Sequence, residues 1–182
     1  MTDAQPASVY DLAHKDAAEN LATFAVLVDN EPGVLHRLVG LFAARGYNIE
    51  SLTVAETDRN AHTSRVTIVT RGTQQVLAQI EAQLEKMVST RHVQDVTRDP
   101  NGLERELALV KVKGTGADRV EALRVADIFR ARVIDTGRDR FVFELTGAPS
   151  KIDKFLDLMR ELGLVEVSRT GVLSIQRGLD AL

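Results

Sequence analysis

The sequence predicts an α+β fold made of two tandem ferredoxin-like βαββαβ units. Three observations lead there. Apolar residues switch between strand-like and helical spacing in the order strand, helix, strand, strand, helix, strand, and that order then recurs. The turn sequence Asp99-Pro100-Asn101-Gly102 separates the two runs. Gly72 and Gly147 each follow a strand and precede a helix, and their separation, 147 − 72 = 75 residues, is close to the length of one such unit.

In the first unit, residues 23–28 are a short, nearly continuous apolar run and read as a strand. Asn30-Glu31-Pro32-Gly33 breaks it. Leu35, Leu38, Val39 and Phe42 then recur at helical spacing, and Gly46 fits the C-terminal cap of that helix. Residues 47–56 are strand-like through Ile49, Leu52 and Val54, and Asp58-Arg59-Asn60 reads as a turn. Residues 65–71 alternate, with Val66 and Ile68 facing opposite to Thr67 and Val69, until Gly72. Leu77, Ile80, Leu84 and Val88 mark a second helix, and residues 92–97 a last strand anchored by Val93 and Val96.

The second unit repeats the plan. Residues 107–112 form a strand, punctuated by Gly114 and Gly116. Ala122, Val125, Ala126 and Phe129 give a helix. Residues 133–135 and 141–145 are strands on either side of Gly137, with Phe141, Phe143 and Leu145 on one face. Ile152, Phe155, Leu156, Met159 and Leu162 give the last helix, and residues 165–168 and 172–176 are extended around Gly171. The expected division is a tail over 1–22, a first unit over 23–98, a linker over 99–103, a second unit over 104–178 and a tail over 179–182. Residues 10–21 can place Ala13, Ala17, Ala18 and Leu21 on one face of a short helix. With so little large apolar surface, a mobile tail is expected instead. In each unit two helices cover one face of a sheet, so the other face is expected to stay open to a partner.

Composition narrows the function. Hydrophobic residues are 44% and charged residues 27% of the 182, as in ordinary soluble domains. The net charge of −3 is spread without a basic block, and there is no Trp, which argues against nucleic-acid binding. The absence of cysteine excludes disulfides, thiolate metal sites and cysteine nucleophiles. No apolar run approaches the roughly 20 residues that span a bilayer, and no signal-peptide pattern opens the chain, so no membrane association and a cytoplasmic location are expected. There is no phosphate-binding GxxxxGK[ST], no GxGxxG after a strand and no GxSxG. Gly114-Thr115-Gly116 reads as a plain turn. The four histidines, His14, His36, His62 and His92, show no metal-ligand spacing. The carboxylates around Glu81 and Glu85 fall on a polar helix face. No motif proposes a catalytic site.

One segment stands apart. Asn30-Glu31-Pro32-Gly33-Val34-Leu35 joins a strand directly to a helix start. Pro32 suits the first turn of a helix or the residue just before it, and Gly33 lets a ligand approach the backbone. Free amides at the positive end of a helix dipole suit a carboxylate, an effect worth about 0.3–1 kcal/mol when exposed. The plain alternative is a tight turn capped by Asn30.

The segment Asp29-Asn30-Glu31-Pro32-Gly33-Val34-Leu35, followed by Arg45-Gly46-Tyr47-Asn48-Ile49-Glu50-Ser51-Leu52, resembles the ACT domain of acetolactate synthase (acetohydroxyacid synthase) small regulatory subunits. Ser64-Arg65-Val66-Thr67-Ile68-Val69 and Glu104-Arg105-Glu106-Leu107-Ala108-Leu109-Val110-Lys111-Val112 extend the match. So do Ile128-Phe129-Arg130, Val133-Ile134-Asp135, Arg169-Thr170-Gly171-Val172 and Arg177-Gly178, and the tail through Ala22 is the departure. The resemblance implies a chain with no catalytic site and no cofactor of its own. Thiamine diphosphate, a divalent metal such as magnesium and FAD would belong to the catalytic large subunit, which condenses two 2-oxo acids. The small subunit would raise that activity and confer feedback inhibition by valine or another branched-chain amino acid. On the family pattern two ACT domains pair in a homodimer, with Asn30, Gly33, Val34 and Leu35 of one subunit and Asn48 and Ile49 of the other around the effector.

Such a site is chemically coherent. The amides near Gly33 serve the carboxylate, the side-chain carbonyls of Asn30 and Asn48 accept from the ammonium, and Val34, Leu35 and Ile49 line the apolar part. Another amino-acid-sensing ACT regulator is the alternative. A transcriptional version would need a basic DNA-reading helix pair and a dehydrogenase a Rossmann unit, and the sequence offers neither.

Overall fold

A computed structural model describes residues 19–58 and 60–178. The first unit runs β1 (Asn20–Asp29), α1 (Val34–Arg45), β2 (Ile49–Asp58), β3 (Thr63–Gly72), α2 (Gln74–Glu85) and β4 (Thr90–Asp95), with sheet order β2-β3-β1-β4. The second runs β5 (Gly102–Lys113), α3 (Gly116–Phe129), β6 (Arg132–Thr136), β7 (Arg140–Gly147), α4 (Pro149–Glu161), β8 (Leu164–Arg169) and β9 (Leu173–Gln176), with order β6-β7-β5-β8. All pairings are antiparallel. The long strand β5 pairs with β8 through Ala108–Val112 and with β9 through Gly102–Arg105. The fold is the α+β arrangement of two βαββαβ units that the alternating periodicities predict.

Each unit has its own core between sheet and helices. Phe24, Val26 and Ile68 from the strands meet Leu38, Phe42, Leu77, Ile80 and Leu84 from α1 and α2. In the second unit Val110, Phe143 and Leu145 meet Ala122, Ile152, Phe155 and Met159. The aromatic rings of Phe143 and Phe155 contact edge to face, as such pairs prefer, with centroids 6.1 Å apart.

The boundaries differ from expectation in three places. β1 begins at Asn20, because Asn20, Leu21 and Ala22 pair with Gly72, Arg71 and Thr70 through backbone hydrogen bonds that leave no apolar pattern to read. The tail expected through residue 22 therefore gives way to strand at Asn20, while residues 1–18, where the rest of that tail falls, lie outside the described residues, as do Arg59 and 179–182. β5 begins at Gly102, inside the segment expected as linker. α2 stops at Glu85, so Val88 lies past the helix and is fully exposed instead of packing.

The face opposite the helices is also not left bare in the first unit. Strand register puts Ser51, Val69 and Thr23 in one cross-strand row and Thr53, Thr67 and Ala25 in the next. Thr23, Ala25, Thr67 and Val69 are all buried. The turn between β8 and β9 lies across this face, where Thr53 Oγ1 donates to the Val172 carbonyl at 3.0 Å.

Candidate functional site

The turn between β1 and α1 is held by backbone hydrogen bonds on both sides. The Asn30 N–H donates to the His62 carbonyl at 2.7 Å, and the Asp29 N–H to that of Ser89 at 2.9 Å. Arg91 clamps the Asp29 carboxylate at 2.6 Å. Gly33 is the N-cap of α1 and adopts φ 85°, the left-handed region where a Cβ is disfavoured. Its carbonyl accepts from the Arg37 N–H at 2.9 Å, which starts the helix ladder. The N–H of Val34 is used by the Glu31 carbonyl at 3.2 Å. Among the described residues the amides of Gly33, Leu35 and His36 have no backbone acceptor, as expected of the first helical turn. No side chain caps this helix.

A second positive group sits at the same place. A Cβ built on Gly33 would lie 3.8 Å from Arg37 Nη1, and the Arg37 guanidinium pairs with the Glu31 carboxylate. Arg37 was not among the residues the sequence singled out, although its position one helical turn beyond Gly33 is the signal that points to it.

The six predicted site residues divide into two groups. Asn30, Gly33, Val34 and Leu35 gather at the N-terminal end of α1. Asn30 is exposed, with its amide nitrogen 3.4 Å from Glu56 Oε1. Leu35 is exposed and is followed one turn later by exposed Val39. Val34 is different, because its side chain is buried in the first core, where it fixes the helix start.

Asn48 and Ile49 lie beyond the other end of the helix. Gly46 closes α1 in the left-handed conformation, with its N–H on Ala43 and that of Tyr47 on Phe42, the double bond of a Schellman cap. The exposed Asn48 then donates from Nδ2 to Glu50 Oε1 at 3.1 Å, while its backbone carbonyl accepts from Thr70 Oγ1 at 2.6 Å. Ile49 packs partly against the first core. α1 has 12 residues, so the two groups are separated by about 18 Å of helix within one chain.

A cleft of about 740 Å³ lies between the two units and contains none of these six residues. Its floor holds a charge network. Arg169 binds both oxygens of the buried Glu106 carboxylate, at 2.8 and 2.5 Å, and reaches Asp153 at 2.7 Å. The hydrogen bond to Glu106 is the leading reason that the Arg169 pKa is raised further above its ordinary value. Among the described residues no group of three His, Asp or Glu side chains could hold a metal ion, and no helix is long and apolar enough to cross a membrane.

A βαββαβ unit with a strand-to-helix turn built on a left-handed glycine, followed in the same chain by a second unit of the same plan, defines an ACT-domain protein. Residues 24–92 match the family model described as the AHAS small subunit-like ACT domain, and residues 105–178 match that of the small subunit of acetolactate synthase. The probable acetolactate synthase small subunit of Archaeoglobus fulgidus is 46% identical over 156 residues, covering 86% of this chain and 96% of the relative. The acetolactate synthase isozyme 3 small subunit of Escherichia coli is 44% identical over 155 residues, covering 85% and 94%. The crystal structure of the acetolactate synthase small subunit from Thermotoga maritima superposes with a TM-score of 0.76 at 36% identity, covering 88% of this chain and 99% of that one. The chain belongs to the family of acetolactate synthase small subunits.

Proposed function

We propose that this chain is the regulatory subunit of an acetolactate synthase. It activates a catalytic large subunit and confers feedback inhibition by valine or another branched-chain amino acid. The large subunit carries thiamine diphosphate, magnesium and FAD, and this chain alone has no turnover. The observation that carries the reading is the polarity of α1. One end offers free amides at a left-handed glycine beside Arg37, which suits a carboxylate. The other end offers Asn48, whose side-chain carbonyl suits an ammonium.

Those ends are about 18 Å apart, too far for one amino acid to bridge. They meet only if two copies pack with α1 antiparallel about a two-fold axis, which puts the start of one helix beside the end of the other. β2 is an edge strand, and Leu35 and Val39 are exposed on α1, so both elements have unpaired surface for such a homodimer. Asn30, Gly33 and Leu35 of one subunit then face Asn48 and Ile49 of the other, with Val34 acting as the buried anchor of the helix start. A ligand held across a subunit interface couples its binding to quaternary arrangement, typically by about 1–3 kcal/mol.

The test is reconstitution. Acetolactate formation from pyruvate is measured for the large subunit alone, this chain alone and the mixture, across a valine series and parallel leucine and isoleucine series. The mixture is expected to exceed the large subunit and to lose its excess activity with one of the three amino acids. Turnover by this chain alone, or a mixture no different from the large subunit, refutes the reading.

A further inference from the structure

We propose that the effector's signal leaves the ACT unit through a latch in which the Ser51 and Thr53 hydroxyls of β2 grip the backbone of Val172 in the turn between β8 and β9. The proposal rests on the effector site being at Asn30, Gly33 and Asn48, and it names the route by which that site reaches the second unit. Val172 N–H donates to Ser51 Oγ at 3.1 Å, and Thr53 Oγ1 donates to the Val172 carbonyl at 3.0 Å. Both backbone groups of a single residue are thus held by alternate side chains of one strand. The approach leaves no room for a side chain at Gly171. Gly171 has φ 83°, and a Cβ there would sit 2.6 Å from Ser51 Oγ and 2.9 Å from Thr53 Oγ1. Val172 itself is buried.

The same segment is fastened at its far end. Asp99 Oδ2 accepts from Gln94 of β4 at 2.9 Å and from Gln176 of β9 at 2.5 Å, so one carboxylate bridges the two units. The stretch from Gly171 to Gln176 is therefore pinned to the first sheet at both ends. Ser51 follows Asn48 by three residues, about 10 Å along an extended chain. On the other side, Gly171 follows Arg169 by two residues, and Arg169 holds Glu106 of β5 and Asp153 of α4. A displacement of β2 at the ligand thus acts directly on a turn that is continuous with the charge network of the second unit. Elements with two discrete arrangements are what carry coupling over such distances.

The test removes the hydroxyls and keeps the shape, with Ser51→Ala and Thr53→Val combined, and Thr53→Ser as the conservative control. The chain has no cysteine, so nitroxides at Val88→Cys and Ile128→Cys, both exposed, report the distance between units in the full chain. The double variant is expected to broaden that distance distribution about twofold, with or without valine, while Thr53→Ser keeps the parent width. Valine affinity by calorimetry is expected to stay within about twofold, and inhibition of the reconstituted enzyme to weaken about tenfold. An unchanged width with unchanged inhibition overturns the latch. Loss of valine binding in the double variant also overturns it, because the hydroxyls then serve the ligand site. No response of the parent complex to valine, leucine or isoleucine overturns the effector reading on which the route depends, and the ligand-independent width tells that failure from failure of the latch.

Discussion

Gly33→Asp puts a carboxylate where the ligand's carboxylate is proposed to bind. The backbone cost is modest. A residue with a Cβ in the left-handed region costs about 1–2 kcal/mol, and Asp tolerates that region better than most. Space is not limiting, since the nearest atom to the new Cβ is Arg37 Nη1 at 3.8 Å. Against a domain stability of about 5–15 kcal/mol the fold survives. The new carboxylate lies beside the Arg37 guanidinium and the free amides of the first turn of α1, so it would occupy the proposed anion site from within the chain. The ligand then loses charge-assisted hydrogen bonds worth about 1.5–3 kcal/mol, or roughly 10- to 150-fold in affinity, before repulsion is added. Gly33→Ala carries the backbone strain without the charge, and the difference between the two variants isolates the electrostatic part. Calorimetric titration of valine into each variant reads the affinity, and acetolactate formation by the reconstituted complex reads the inhibition. Gly33→Asp is expected to weaken both by at least about tenfold beyond Gly33→Ala, with activation of the large subunit retained. Equal valine affinity in Gly33→Asp and the parent would show that the ligand sits elsewhere. Loss of activation would show that Gly33 serves the fold or the subunit contact.

Asn48→Ala is expected to weaken valine inhibition by about 1–3 kcal/mol with activation intact, read from the midpoint of the inhibition curve. An unchanged midpoint removes Asn48 from the site. Leu35→Glu combined with Val39→Glu puts charge on the exposed face of α1 and is expected to shift the chain from dimer to monomer in sedimentation at tens of micromolar, roughly the range where weak homodimers populate. A parent that is already monomeric there contradicts the pairing. Arg169→Ala strands the buried Glu106 carboxylate and is expected to cost about 3 kcal/mol in urea unfolding, the low end for a broken buried pair because Arg169 keeps some solvent contact. A loss below about 1 kcal/mol would mean the pair behaves as a surface ion pair.

The two units were legible because their cores obey simple periods. Leu38 and Phe42, one turn apart, mark the core face of α1, although Leu35 and Val39 of the same apolar pattern turn out exposed, and Val66 and Ile68 mark β3. Gly46 was legible because only a left-handed cap needs glycine there. Local pattern does not reach further. The start of β1 at Asn20 rests on ladder hydrogen bonds to β3, which any residue can make. Val34 and Leu35 are adjacent and both apolar, yet one faces the core and the other solvent, because helix rotation about the Gly33 cap decides which points inward. The contacts between units join residues far apart in sequence. Ser51 and Val172 are 121 apart, and Glu106 and Arg169 are 63 apart, so no window of sequence shows either pair. Asn30 and Asn48 are only 18 residues apart, yet α1 stands between them, and a common site follows only from a second copy of the chain.

That second copy can be tested directly by complementation. Chains carrying Gly33→Asp and chains carrying Asn48→Ala are prepared separately and then co-refolded in equal amounts. In each pure dimer both composite sites are damaged. In a mixed dimer both lesions fall in one site, and the other has an intact Gly33 from one chain and an intact Asn48 from its partner. The co-refolded sample is therefore expected to regain high-affinity valine binding at about a quarter of the parent's sites, since half of the dimers are mixed and each has one good site of two. Valine binding no greater than the average of the two pure variants would contradict a site shared across the dimer.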